Sequence, residues 1–298
     1  MSALLNDFAI HTVSLTKTYK DFWGRDKVRA LDDLSLTINR GEVFGLLGPN
    51  GSGKSTTIKL LLGLIFPSRG SATVLGRPAG DTGVNEKIGF LPEESYLYRF
   101  LNGEEILRFY GKLFKIDRRT LSKRVTELLD IVGLDAKSRK RKLREYSKGM
   151  ARRIGLAQAL INNPDLILLD EPTTGLDPIG TREMKDLILS LKNQGKTVLL
   201  CSHLLADVQD VCDRITILFR GKMQTLGDVK DLVQKKDITT IETHGMSEQQ
   251  IEQVRQLILQ MGIDPTVTHP TTTLEDLFIR IVRENTPVGQ SSVGSGPA

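Results

Sequence analysis

The chain has 298 residues, of which 39% are hydrophobic and 26% are charged. This usage is typical of globular proteins and excludes fibrous and wholly disordered classes, and the length allows a large domain with an appendage. The two cysteines, Cys201 and Cys212, exclude a disulfide scaffold and a cysteine-rich zinc site. The net charge of +5 permits contact with an anionic surface without requiring nucleic acid. The densest apolar run, residues 60–66, is too short to span a membrane, and the N-terminus lacks the basic start of a signal peptide.

The first part of the chain predicts strands and then a nucleotide-binding unit. Residues 8–19 and 28–38 alternate apolar and polar side chains, which indicates antiparallel strands with one buried face. Residues 41–48 predict a short apolar strand that runs into a glycine-rich turn, and residues 57–66 predict a helix ended by Pro67. A strand, a glycine-rich loop and a helix in this order begin an α/β nucleotide-binding core.

The middle of the chain, about residues 92–162, is predicted to be helical. Asn102 and Glu105 have the spacing of a capping box, and Gly133 follows an apolar stripe at helical spacing. Ser147 begins a further helix that Pro164 ends. Beyond it, residues 166–170 and 197–202 predict buried parallel strands separated by a helix over 181–193, and residues 214–227 predict a hairpin.

Composition changes near Gly227, so we expect the nucleotide-binding domain to span residues 1–227. Residues 228–284 predict a small accessory α+β region with a strand at 238–244, a helix capped by Ser247 and Gln250, and a last helix at 274–283. The tail, residues 285–298, is rich in Gly, Ser and Pro and is predicted to be disordered.

Residues 48–55 fit the P-loop pattern G-x-x-x-x-G-K-[ST] between a predicted strand and a predicted helix. Glycines let backbone N–H groups converge on phosphate oxygens, and the helix N-terminus adds the positive end of its dipole. Lys54 can reach the β- and γ-phosphates, and the Ser55 hydroxyl can bind Mg²⁺. The predicted nucleotide-binding residues of this loop are Gly48, Asn50, Gly51, Ser52, Gly53, Lys54, Ser55 and Thr56.

A P-loop needs a carboxylate from another strand to hold the metal. Residues 166–169 are apolar and are followed by Asp170 and Glu171, which places two acids at the end of a buried strand. Asp170 is therefore expected to bind Mg²⁺, and Glu171, pointing to the other side, to polarise the attacking water.

With these motifs in this order over about residues 8–226, the chain resembles the ATP-binding cassette of ABC transporters. The resemblance implies a P-loop NTPase core with an antiparallel β subdomain and a helical subdomain. It implies that Tyr19 stacks on adenine, a contact worth about 1–3 kcal/mol by analogy with base stacking in nucleic-acid complexes.

The resemblance further implies a signature loop at Ser147, Lys148, Gly149 and Met150, which faces ATP held by the other subunit of a head-to-tail dimer. The family usually has Gly where this chain has Lys148 and Gln where it has Met150. The variant YSKGM is familiar from branches that export their cargo through a separate permease.

Three more roles follow from the resemblance. Asp177 lies in a segment similar to the D-loop, which couples the two sites of the dimer, and His203 resembles the switch histidine that contacts the γ-phosphate. Glu93 stands where the family usually has a Gln that touches Mg²⁺ and water, although Glu94 is an alternative for this role. A carboxylate binds a hard cation at least as well as an amide does.

The implied function is the ATPase subunit of an ABC exporter, with ATP and Mg²⁺ as cofactors. We expect a homodimer whose closure on ATP drives a separate integral-membrane permease, contacted by the helical middle, at the cytoplasmic face of the membrane. The alternative is an ABC-type ATPase of a non-transport complex, such as cluster assembly or DNA repair. The gap between Lys54 and Asp170 has no room for the long coiled coil of the repair proteins. The basic run at 137–144 has no interleaved aromatics, so nucleic acid is not expected as a partner.

Overall fold

A computed structural model describes residues 8–94, 96–233 and 243–267. The chain divides into two compact units, residues 1–233 and 234–298. The first unit therefore extends beyond the boundary expected at residue 227. The reason is local, because a short helix at Val229–Val233 follows the last strand, and the backbone N–H of Val229 donates to the Asp213 carbonyl at 2.9 Å.

The strands of the first unit, in chain order, are β1 (Phe8–Lys20), β2 (Asp26–Asn39), β3 (Val43–Leu47), β4 (Arg69–Val74), β5 (Arg77–Pro78), β6 (Ile88–Leu91), β7 (Leu166–Asp170), β8 (Thr197–Ser202), β9 (Arg214–Phe219) and β10 (Lys222–Asp228). The helices are α1 (Lys54–Leu61), α2 (Thr82–Asn85), α3 (Gly103–Leu113), α4 (Arg118–Ile131), α5 (Ala136–Lys140), α6 (Lys148–Ala159), α7 (Pro178–Asn193), α8 (Leu205–Val211), α9 (Val229–Val233) and, in the second unit, α10 (Glu248–Gln260). Across the described residues, no helix has the length and apolar character that a membrane span requires.

Two sheets form the first unit. The smaller has the order β2-β1-β4-β5 and is antiparallel, which confirms the strands predicted at the N-terminus. The larger has the order β10-β9-β3-β8-β7-β6. Its strands β9, β3, β8, β7 and β6 are parallel, and β9 and β10 form the predicted antiparallel hairpin. The carboxyl ends of the parallel strands meet at one edge, where α/β sheets bind ligands.

The central parallel strands are buried on both faces. Alternate residues of β7 point to opposite sides, so Leu168 joins a core shared with β1, β2 and α1, while Ile167 and Leu169 join a core shared with α3, α4, α6 and α7. The continuous apolar run of β7 thus reflects two cores and not an alternating, half-exposed strand. This arrangement holds the carboxyl end of β7 rigidly between the two cores.

The helix after the P-loop is shifted from the predicted 57–66 and runs over Lys54–Leu61. It begins directly at the loop and ends before Gly63, which has φ +69°. A Cβ at Gly63 would lie 2.3 Å from the Gly80 Cα, so the two glycines pack backbone to backbone. The end at Pro67 was therefore wrong, because a left-handed glycine stops the helix first.

The helical middle follows the local sequence signals closely. Asn102 and Glu105 form both bonds of a capping box at the start of α3, and Gly133 follows α4 in the left-handed conformation. The helix predicted at 181–193 starts earlier, at Pro178, because the Asp177 side chain caps it.

The second unit is described by α10 and its flanking residues. The capping box of Ser247 and Gln250 is present at the start of α10, as predicted. The strand expected at 238–244 falls mostly outside the described residues, and the helix at 274–283 and the tail at 285–298 fall entirely outside them.

Candidate functional site

The P-loop joins β3 to α1 and is shaped by its glycines. Gly48 has φ +154°, and a Cβ there would lie 2.3 Å from the Leu218 carbonyl oxygen. Gly53 has φ +112°, and a Cβ would lie 2.6 Å from the Ala30 oxygen. As the N-cap of α1, Gly53 offers no side chain to the first helical amides. These amides and the helix dipole are therefore available to an anion.

Lys54, the first residue of α1, folds back over this loop. Its Nζ donates to the Gly48 carbonyl at 2.7 Å and lies 3.3 Å from Glu171 Oε1. Both side chains are 5% exposed. A buried cation is costly unless it is paired. The Glu171 carboxylate, directly after β7, therefore stabilises the Lys54 ammonium beside the P-loop.

Glu171 is held from three directions after β7. Its Oε2 accepts from Thr174 Oγ1 at 3.1 Å and lies 2.8 Å from His203 Nδ1. Its backbone N–H donates to the Cys201 carbonyl at 2.9 Å. The residue has φ +51°, a left-handed conformation that costs about 1–3 kcal/mol outside glycine and clusters at functional sites. The structure thus brings the two predicted catalytic residues, Glu171 and His203, into direct contact.

Arg152 is a residue of this site that the sequence motifs do not reveal. It lies in α6 and is 5% exposed, and its guanidinium donates to the Glu171 carbonyl at 2.7 Å and to the Pro92 carbonyl at 2.6 Å. Burial lowers the pKa of Arg152, while the charges of Glu93, Asp170 and Glu171 act to raise it. The sequence signal was an arginine on the apolar face of α6, four residues before Leu156.

Asp170 ends β7 beside the P-loop. Burial raises the pKa of the Asp170 carboxyl, a hydrogen bond with Ser55 lowers it, and the charges of Glu171 and Glu93 raise it further. Its Oδ1 is buried without a hydrogen-bond partner. An orphaned carboxylate oxygen close to a hydroxyl fits a hard divalent cation, which takes oxygen ligands. Among the described residues, no group of three or more His, Cys, Asp or Glu side chains could hold a metal by itself.

Glu93 and Glu94 follow β6 and have different surroundings. Glu93 lines the same cavity as Ser55 and Lys54. Glu94 accepts a hydrogen bond from the Tyr96 hydroxyl at 3.4 Å in an exposed position. Of the two alternatives, the geometry therefore favours Glu93 as the residue that faces the P-loop.

A cavity of about 640 Å³ runs along the P-loop, a size that suits a small-molecule ligand. Tyr19 is 39% exposed at the end of β1 and lines it, so the ring is available for stacking. The lining residues are Tyr19, Lys27, Val28, Arg29, Ala30, Asn50, Gly51, Ser52, Gly53, Lys54, Ser55, Thr56, Glu93, Glu171 and Arg220. Most predicted nucleotide-binding residues thus share one cavity, whereas Gly48, Asp170 and His203 do not line it.

The signature residues lie away from this cavity. Ser147 caps α6 and accepts from the Met150 N–H at 3.2 Å, with Lys148 and Gly149 in the first turn. The Lys148 side chain lies against Gly175, and Asp177 caps α7 by accepting from the Gly180 N–H at 2.7 Å. None of these residues lines the P-loop cavity of its own chain.

The chain matches the family model described as ABC transporter over residues 31–174. It is 47% identical over 226 residues to an uncharacterised ABC transporter ATP-binding protein of Synechocystis sp., an alignment that covers 75% of this chain and 64% of that protein. The chain thus spans less than two thirds of the length of this relative. It is 37% identical over 257 residues to the Nod factor export ATP-binding protein I of Sinorhizobium fredii, covering 85% and 73% of the two chains.

Among solved structures, the chain resembles a dimeric ATP-binding cassette in a post-hydrolysis state bound to ADP and Pi. The identity is 29% and the TM-score 0.67, and the match covers 74% of this chain and 98% of the other. The predicted fold, an α/β P-loop NTPase core with an antiparallel β part and a helical part, is confirmed. The chain belongs to the ABC transporter family, as one of its ATP-binding subunits.

Proposed function

We propose that this chain hydrolyses ATP and thereby drives a separate integral-membrane permease. The observation that carries the proposal is that Lys54 of the P-loop, Glu171 and His203 meet at the carboxyl edge of the larger sheet. A cavity of nucleotide size lies beside them. The Glu171 carboxylate is the general base that takes the proton from the attacking water. His203, in contact with Oε2 of Glu171, holds that carboxylate in place and reaches toward the γ-phosphate.

The pair of Lys54 and Glu171 suggests how ATP starts the reaction. Without nucleotide, the ammonium of Lys54 neutralises Glu171 at 3.3 Å. The phosphates of ATP carry more negative charge than a single carboxylate, so they attract Lys54 and release Oε1 of Glu171. The base is thus freed only when its substrate is bound.

Ser55, Asp170 and Glu93 would hold Mg²⁺ in this site. They offer a hydroxyl oxygen and two carboxylates, and the Asp170 carboxyl is buried with one unpaired oxygen. A bound Mg²⁺ supplies positive charge that offsets the negative charge on the transferring phosphoryl group. Arg152 fixes the position of the Glu93 loop relative to Glu171, because its guanidinium donates to the carbonyls of both Pro92 and Glu171.

We further propose a head-to-tail homodimer in which Ser147 and the first amides of α6 face ATP on the P-loop of the second copy. Support comes from the position of the signature residues outside their own cavity and from the dimeric form of the related cassette. Asp177, at the start of α7, would couple the two sites. The N-terminus of α6 adds a favourable dipole toward phosphate.

The exporter assignment draws on the relative named for Nod factor export and on an exposed aromatic surface. Tyr98 lies 5.9 Å from Phe100 and 5.4 Å from Phe109, measured between ring centroids, and Phe100 is 68% exposed. This surface follows the Glu93 loop along the chain. Clustered exposed aromatics are typical of protein interfaces, so we place the permease contact here and the protein at the cytoplasmic face of the membrane.

The composite site can be tested by mixing two inactive variants. Lys54→Ala protein keeps its signature loop, and Ser147→Arg protein keeps its P-loop. A mixed dimer contains one site with both halves intact, whereas each homodimer contains none. ATPase activity should therefore reappear on mixing, up to about a quarter of the wild-type rate for random pairing of sites that fire independently. Mixing Lys54→Ala with a Lys54→Ala/Ser147→Arg double variant is the control and should give no activity. Absence of recovery in the first mixture would contradict the composite site.

A further inference from the structure

The turn between β9 and β10 is fixed against the P-loop. The Gly221 N–H donates to the Ser52 carbonyl at 3.0 Å, and the Gly221 carbonyl accepts from the Asp32 N–H at 2.8 Å. Gly221 has φ +78°, and a Cβ there would lie 3.0 Å from the Ala30 oxygen. The backbone of the turn therefore packs against the P-loop and against β2. Arg220, the residue of the turn before Gly221, is held in a defined position.

Arg220 has a left-handed backbone, with φ +49°, and its side chain lines the P-loop cavity. Its Cζ lies 5.2 Å from the centroid of the Phe219 ring. Within the described part of the chain, the guanidinium has no hydrogen bond and no ion pair. A guanidinium carries five N–H donors in a planar fork, and this geometry suits phosphate oxygens.

Three cations near Arg220 are paired, two of them with Asp32. Arg29 lies 3.3 Å from an Asp32 carboxylate oxygen, and Lys222 lies 3.4 Å from the other. Lys54 is satisfied by the Gly48 carbonyl and Glu171. Arg220 and Lys27 both line the cavity, and neither has an ion pair within the described residues. Of the two, only Arg220 has the planar fork that suits phosphate. Lys222, which begins β10 directly after the turn, does not line the cavity.

The position of Arg220 along the P-loop cavity follows from the residues with which it lines a second cavity. It also lines a second, smaller cavity with Thr18, Lys27 and Val28. Val28 is the cross-strand partner of Tyr19, the predicted adenine-stacking residue. Glu171 and Ser55 do not line that smaller cavity. Arg220 thus lies toward the base end of the nucleotide site and away from the hydrolysis end.

We infer that Arg220 binds the nucleotide directly, by donating from its guanidinium to the α-phosphate and the adjoining ribose. The inference rests on the proposed ATP site and adds to it a residue outside the P-loop. Because the contact is made to a part of the nucleotide that hydrolysis does not change, Arg220 contributes equally to ATP and ADP binding. It lowers the KM for ATP and leaves kcat unchanged, as expected of binding that is uniform between ground and transition states.

The test is the affinity of the full chain for ATP and ADP, measured by competition against a fluorescent ATP analogue. Arg220→Ala should weaken both nucleotides by about 10-fold, the typical effect of one charge-assisted hydrogen bond to phosphate. The affinity of Arg220→Lys should lie between those of the wild type and Arg220→Ala, because lysine keeps the charge but lacks the planar fork of N–H donors. Lys222→Ala is the matched control directly after the turn and should bind as the wild type does.

The affinities for ATP and ADP distinguish a wrong role for Arg220 from a wrong proposed function. Equal affinities for wild type, Arg220→Ala and Lys222→Ala would overturn the role of Arg220, while lost binding in Lys54→Ala would leave the proposed function standing. A loss confined to ATP would contradict placement beside the α-phosphate. A wild type that binds neither nucleotide would overturn the proposed function itself. Thermal unfolding of Arg220→Ala should match the wild type, since Ala keeps the Cβ and the same left-handed backbone.

Discussion

At the scale of single residues, the site depends on contacts between side chains that are distant in sequence. Lys54 begins α1 after the P-loop, and Glu171 and His203 directly follow β7 and β8. Glu171 contacts both of the other side chains. The motif positions of all three were predictable, because each follows an apolar strand. Their order of contact, with Lys54 and His203 on opposite oxygens of Glu171, was not predictable, since it depends on how neighbouring strands are aligned.

Arg152 and Arg220 mark the limit of sequence reasoning at this scale. Each contacts parts of the site that are distant from it in sequence. Arg152 bridges Pro92 and Glu171, and Arg220 reaches the cavity from a hairpin turn. Neither lies in a motif that names its role. Burial of Arg152 and the lack of an ion-pair partner for Arg220 among the residues described are tertiary properties, so only the packed structure shows them.

The Glu93 side chain gives a prediction at the residue scale. Glu93→Gln keeps one oxygen ligand but loses the charge, so its ATPase rate should remain substantial and should require more Mg²⁺. Glu93→Ala removes the ligand and should lose more activity. The measurement is a Mg²⁺ titration of the ATPase rate for both variants and the wild type.

Glu94→Ala is the matched control for this titration. Because Glu94 contacts Tyr96 in an exposed position, its removal should leave the Mg²⁺ curve unchanged. If Glu94→Ala alone shifts the curve, the assignment is off by one residue. If no variant shifts it, the loop does not touch the metal.

At the scale of elements, capping boxes predicted helix starts, whereas α1 and α7 both begin before their predicted first residues, 57 and 181. The capping boxes at Asn102 and Ser247 were predictable because both bonds lie within four residues. The end of α1 was predicted too late, although Gly63 in the left-handed conformation is itself a local stop signal. Its close approach to Gly80, which leaves no room for a side chain, is visible only in the packed structure.

A buried ion pair links α7, which Asp177 caps, to α8, which follows His203. Lys185 Nζ lies 3.0 Å from Asp207 and 2.8 Å from Asp210, and Lys185 and Asp207 are both buried. Removing one partner of a buried pair leaves an uncompensated charge and costs about 3–5 kcal/mol. Lys185→Met should therefore lower the urea midpoint markedly. Arg182→Met, which breaks an exposed pair on the same helix, should change the free energy of unfolding by less than about 0.5 kcal/mol.

The stabilisation by Lys185 should also depend on pH. Burial by itself lowers the pKa of Lys185, but the hydrogen bonds and charges of Asp210 and Asp207 outweigh it and raise that pKa above its ordinary 10.5. A raised pKa in the folded state means that the stabilisation is complete below the ordinary value and is lost as the pH rises past the raised one. The difference in urea midpoint between wild type and Lys185→Met should be constant from pH 7 to 9 and should shrink above about pH 11. A difference that grows with alkaline pH would contradict this linkage.

At the scale of the whole molecule, the central claim is that ATP closes two copies around sites that neither copy completes. The signature residues do not line the P-loop cavity of their own chain, and we have proposed that a second copy brings the two together. The most direct measurement is light scattering of Glu171→Gln with Mg-ATP, alongside its rate of ATP hydrolysis.

The amide of Glu171→Gln cannot take a proton from water, so hydrolysis should fall by about 10²–10⁴-fold while ATP still binds. The variant should accumulate as an ATP-bound dimer with twice the mass of the chain, and the added Lys54→Ala change should return it to monomer. A Glu171→Gln protein that hydrolyses ATP at the wild-type rate, or that stays monomeric with ATP bound, would contradict the account.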